Sequence, residues 1–222
     1  MTSVVATASR RTVDSCDATG SVCICVFCGA APGSSPCFVD AATTLGRLIA
    51  NRGFGLVYGA GGIGMMGALA NATADAGGRI TGVVPAFLRQ REAADRLPRQ
   101  EIVTTDDLFD RKRDMLERSD VYVALPGGYG TLDEVVEVLS MTSLGVLAKP
   151  LVLVDVDGAW RPFLRAIDDM RRRGLAHGGT EGLFHVVSTV EQAMRLVDLL
   201  APRGHRVETP GDAAVGVEVS IG

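Results

Sequence analysis

The chain has 222 residues, of which 47% are apolar, 22% are charged and 27 are glycine, the size and make-up of one α/β domain. Its net charge of −4 lacks the basic footprint that draws a protein to nucleic acid or to an anionic membrane surface. No apolar run approaches the roughly 18 residues that a membrane-spanning helix needs.

Residues 1–20 contain Arg10 and Arg11, but polar residues follow where the apolar segment of an export signal would stand. They read as a flexible tail, and the protein reads as cytoplasmic. An odd set of five cysteines without an export signal does not suggest a disulfide framework. Cys23, Cys25 and Cys28 fall in the apolar run VCICVFCG and read as small core residues, because no Cys or His pair at zinc spacing follows them.

Along the chain, apolar runs predict strands at 22–27, 55–58, 80–84, 121–125, 151–154 and 185–187. Segments of helical period predict helices at 36–51, 63–76, 106–118, 132–144, 160–173 and 189–200. The strand runs do not alternate polar with apolar, so both faces of the sheet are covered. The expected fold is α/β, a Rossmann-like three-layer sandwich with a mostly parallel sheet and helices on both faces. One domain is expected over 21–201, with a second flexible tail at 202–222.

In such a sheet ligands bind outside the carboxyl ends of the strands, where loops meet helix N-termini. Three of these loops are unusual. CGAAPGSS at 28–35 holds Gly29 and Ala30, and GAGGIGMMG at 59–67 holds Gly61, Gly62 and Met65. PGGYGT at 126–131 comprises Pro126, Gly127, Gly128, Tyr129, Gly130 and Thr131.

Gly59, Gly61 and Gly64 satisfy GxGxxG between a strand and a helix, which is the context that gives the pattern meaning. Phosphate at that helix start is one reading, and glycines that merely permit close helix–strand packing are another. A dinucleotide site also wants an acidic residue at the end of the next strand, and RITGVVP ends in Val84 and Pro85 instead, which argues against NAD. In the third loop successive glycines let backbone N–H groups point inward together, with the Thr131 hydroxyl beside them.

Glu134 follows one turn on. Thr131 to Glu134 also fits a capping box, as Ser188 to Glu191 does, so a site and a plain helix start are both open at this point. The predicted helix at 106–118, with Thr105 as its cap, carries Arg111, Lys112 and Arg113. That run is either a solvated face or a guanidinium that grips phosphate or orients a carboxylate.

DRKRDM at 110–115, VALPGGYGTLDEVVEVL at 123–139 and LGVLAKP at 144–150, with the two earlier glycine loops, together resemble the LONELY GUY family of cytokinin riboside 5′-monophosphate phosphoribohydrolases. The resemblance covers about residues 22–200, and members often carry the label of lysine decarboxylase. It implies a homodimeric hydrolase that splits adenosine 5′-monophosphates, plain or N6-modified, into base and ribose 5-phosphate, with no metal or redox cofactor.

By motif the resemblance makes Arg111 and Glu134 the catalytic pair. Gly29, Ala30, Gly61, Gly62, Met65, Lys112 and residues 126–131 become substrate-binding, and Glu92 a further substrate contact. Ala30 stands where a serine is common, and Met141, Ser143 and Leu147 replace the tryptophan, glutamine and histidine of plant-type members, which leaves the base preference open.

A pyridoxal phosphate decarboxylase needs a Schiff-base lysine. The chain has only Lys112 and Lys149, the latter before Pro150 with no accompanying cofactor motif, and that reading is rejected. The alternatives from other classes are a non-catalytic nucleotide or molybdenum-cofactor carrier of the same architecture, and an NAD-dependent oxidoreductase.

Overall fold

The computed structural model describes residues 21–89, 97–176 and 182–202. The expected tail at 1–20 and, apart from residue 202, the expected tail at 202–222 lie outside the described residues, and so does Glu92. Seven strands form one sheet: β1 (Cys23–Phe27), β2 (Gly55–Tyr58), β3 (Arg79–Pro85), β4 (Glu101–Thr105), β5 (Val121–Ala124), β6 (Leu151–Val154) and β7 (His185–Val187). Their order is β4-β3-β2-β1-β5-β6-β7 and every pairing is parallel.

The two faces separate residue by residue along the strands, as a period of two demands. Ile24 and Val26 of β1, with Cys28 just after it, join a core with α1 (Pro36–Asn51), α2 (Gly64–Asp75) and α6 (Val190–Leu200). Cys23, Cys25 and Phe27 join a second core with α3 (Leu108–Glu117), α4 (Tyr129–Ser143) and α5 (Arg161–Arg172). Both faces are therefore buried, which is why these strands read as unbroken apolar runs.

Strand order fixes where a ligand can enter. β1 pairs with β2 on one side and with β5 on the other, so the chain runs outward in opposite directions from the β1–β5 pair. In an open parallel sheet a reversal of this kind marks the place where ligands bind, at the carboxyl edge beyond β1 and β5.

Several local expectations are corrected. β4 was not among the expected strands. α3 starts at Leu108, and its cap is Asp107, whose carboxylate accepts from the Asp110 N–H at 2.8 Å; Thr105 is the last residue of β4. The capping box of α6 is Thr189 with Gln192, one residue beyond the expected pair. Cys23 is disulfide-bonded, whereas Cys25, Cys28 and Cys37 are free thiols.

Candidate active site

The three glycine loops meet at the carboxyl edge. Gly29 N–H donates to Pro126 O at 3.2 Å, joining the loops after β1 and β5, and Met66 N–H donates to Gly29 O at 3.2 Å, joining the loop after β1 to α2. A Cβ on Gly29 would stand 3.4 Å from the Gly127 Cα and 3.6 Å from the Met65 Sδ, so all three segments close on one point. Gly64, at φ +58°, would drive a Cβ into the Ala30 carbonyl, so glycine is required where α2 begins. Ala60, four residues earlier in the same loop, holds φ +57° without being glycine, a conformation that costs about 1 kcal/mol or more and concentrates at functional sites.

The decisive element is α4. It begins at Tyr129, with Gly128 as its N-cap and no side chain bonded to the cap. Thr131 is therefore inside the first turn and Glu134 in the second, and the capping-box reading of this pair does not hold. Gly127, Gly128, Tyr129 and Gly130 are exposed, and nothing lies within 4 Å of where a Cβ on Gly128 or Gly130 would sit. The result is an open helix N-terminus whose first N–H groups have no capping side chain among the described residues, the arrangement that receives anions.

Directly beneath that mouth the chain turns inward. Thr131 is 4% exposed and Glu134 8% exposed, three residues apart and so on one face of the helix. The Thr131 hydroxyl packs where a side chain on Gly127 would have to go. Glu134 also lies near the end of β1: burial first, and then its negative charge, push the Cys28 thiol well above its usual range, and Cys25 likewise. A thiol held protonated is no nucleophile.

Arg111 is 7% exposed, not on a solvated face. Its Nη2 donates to Gly59 O at 2.7 Å and its Nε to Val83 O at 3.1 Å, tying the ends of β2 and β3. Lys112 takes another direction. Its Nζ makes ion pairs with Asp133 at 3.0 Å and Glu137 at 2.7 Å on α4, and it stands 5.5 Å from the Phe109 ring centroid. Among the described residues no group of three or more His, Cys, Asp or Glu is placed to hold a metal ion, and no helix is long and apolar enough to cross a membrane.

Residues 66–197 match the family described as "Possible lysine decarboxylase". The chain is 36% identical over 186 residues to the cytokinin riboside 5′-monophosphate phosphoribohydrolase LOG3 of Arabidopsis thaliana, covering 84% of this chain and 86% of that protein. The chain belongs to the LONELY GUY family. The enzyme LOG of Oryza sativa subsp. japonica is 43% identical over 145 residues, a match that covers 65% of this chain and 60% of the rice protein.

Among solved structures, the molybdenum cofactor carrier protein of Chlamydomonas reinhardtii superposes with a TM-score of 0.60 at 25% identity, covering 81% of this chain and 98% of that one. The LONELY GUY assignment and the Rossmann-like fold agree with each other. The PGGYGT loop and Glu134 that carried the resemblance are the start and the buried second turn of α4.

Proposed function

We propose that this LONELY GUY chain hydrolyses the N-glycosidic bond of adenosine 5′-monophosphates, including N6-modified ones, releasing the free base, a cytokinin where the N6 group is of that kind, and ribose 5-phosphate. The observation that carries this reading is Glu134, buried one turn below the uncapped glycine start of α4. The activity named for its relatives supports the same reaction.

In this reading the 5′-phosphate rests on the N–H groups of Gly128, Tyr129 and Gly130, where the helix dipole and unbonded donors favour a dianion. Gly29, Ala30, Gly61, Gly62, Met65, Pro126 and Gly127 wall the crevice, and the Thr131 hydroxyl helps seat the ribose. Pinning the phosphate brings C1′ toward Glu134, so distant binding energy does the positioning.

Departure of the purine builds positive charge on the ribose ring, and the Glu134 carboxylate stabilises it. Arg111 completes the catalytic pair: bonded to Gly59 O and Val83 O, it holds the ends of β2 and β3 still beside the site. The bond from C1′ to the purine nitrogen breaks, water adds its hydroxyl to C1′, and the proton that water loses ends on the departing purine.

The test is incubation with AMP and its N6-isopentenyl derivative, followed by chromatography for free base. Glu134→Gln is expected to lower kcat about a hundredfold or more with an unchanged thermal unfolding profile, and adenosine without its phosphate is expected to be a poor substrate. Retained turnover in the variant would end the assignment. The likeness to the cofactor carrier motivates a second reading, binding without turnover; nucleotide recovered intact after prolonged incubation would favour it.

The same proposal includes a homodimer. Leu132 and Val136 on α4, Phe109 on α3 and Leu144 beyond α4 are exposed apolar side chains on the layer that bears the site, and a second copy would cover them. A cytoplasmic setting completes it and is checked by cell fractionation.

A further inference from the structure

Arg111 and Lys112 are neighbours on α3, turned about 100° apart by the helix. Arg111 reaches the strand ends. Lys112 reaches sideways to α4, where its two partners, Asp133 and Glu137, stand one turn apart and flank Glu134 in sequence. One ammonium, with a side chain 12% exposed, is thus bonded to the residue just before the buried acid and to the residue one turn after it.

The charges at this point argue against phosphate binding. Two carboxylates within 3.0 Å of a single ammonium leave the cluster with an excess negative charge, which repels a phosphate dianion. The ammonium is also engaged: burial works against its charge, but the bonds to Glu137 and Asp133 outweigh that and its pKa lies above the ordinary lysine value. The resemblance alone would have Lys112 lining the substrate pocket, whereas its geometry serves the relation between two helices.

We propose that Lys112 is a positioning residue: through Asp133 and Glu137 it locks the helix of Arg111 to the helix of Glu134, and it makes no contact with the substrate's phosphate. This rests on the phosphoribohydrolase reading. Misplacing a reacting group by about 1 Å can cost up to a hundredfold in rate, so the lock acts on turnover and leaves ground-state affinity for the nucleotide nearly untouched.

The experiment is steady-state release of adenine from AMP by the wild type, Lys112→Met, Lys112→Arg, Asp133→Asn with Glu137→Gln, and the triple variant, with thermal unfolding recorded for each. Lys112→Met is expected to lower kcat about tenfold while KM moves less than about twofold. The double carboxamide variant reproduces that loss, the triple variant is no worse than either, and Lys112→Arg recovers most of the rate because its fork still spans both acids.

Three results overturn the proposal. One is a KM raised about tenfold with kcat kept in Lys112→Met. Another is a double carboxamide variant as active as the wild type, and the third is additive losses in the triple variant. Absence of adenine release by the wild type would sink the phosphoribohydrolase reading itself, and the lock with it, whereas a working wild type with any of those three results sinks the lock alone.

Discussion

A methyl group at position 59 would overlap the Arg111 guanidinium, so glycine there is a condition for the arginine's inward path. Gly59→Ala is expected to displace Arg111 and lower AMP hydrolysis about a hundredfold, at a stability cost of about 1–3 kcal/mol that denaturant unfolding will read. Full activity in the folded variant would show that the clamp on Gly59 and Val83 is dispensable. The sequence leaves Glu134 ambiguous because Thr131 lies at capping-box spacing from it. The ambiguity ends where α4 begins, at Tyr129, which only the fold of the glycine loop determines. Arg111 is equally illegible by spacing, since a run of three basic residues looks like solvent-facing charge until the ends of β2 and β3 are placed beside it.

At the scale of elements, α3 is fastened at its far end by the other lysine. Lys149 Nζ donates to Leu116 O at 2.7 Å and Glu117 O at 3.2 Å, while Tyr122 Oη donates to Leu116 O at 3.0 Å and Ser119 Oγ to Met115 O at 2.9 Å. These bonds satisfy carbonyls that a helix end leaves without partners. Lys149→Met is expected to cost about 1 kcal/mol of unfolding free energy.

The two lysines respond oppositely to alkali. Burial lowers the Lys149 pKa, so its charged form is a burden on the fold at neutral pH that is relieved as pH rises through its folded value. Lys112 has a raised pKa, so its contribution is complete below about 10.4, the ordinary lysine value, and is lost only as pH climbs through the higher folded value. The denaturant midpoints of wild type and Lys112→Met therefore differ by a constant amount from pH 7 to 9 and converge in stronger alkali; a gap that closes by pH 9 would contradict this.

β4 shows where reading by pattern stops. EIVTT is an edge strand with exposed Glu101 and no apolar run, so its pairing with β3, not its composition, defines it. Strands covered on both faces, such as β1 and β5, are legible because their residues are apolar throughout.

For the molecule as a whole, strand order converts three separated glycine loops into one crevice, and the same order places α3, α4 and α5 together on one face. That face carries the apolar side chains assigned to a second copy. Val136→Glu is expected to shift the species in sedimentation velocity from dimer toward monomer, and an unchanged sedimentation coefficient would remove this surface from the interface. The alternation of strands and helices made the sandwich readable, and the glycine loops marked the edge at which they converge. The partition of helices between faces follows instead from the right-handed crossover that parallel strands impose.

The bare start of α4 bears on speed. In the proposed reaction, because Gly128 places no hydroxyl or carboxylate over the leading amides, an arriving phosphoryl group meets hydration to strip away and, among the described residues, no capping side chain to evict. Capture is then governed by diffusion and dewetting, and adding a serine at that spot would install a gatekeeper that every incoming molecule must first push aside.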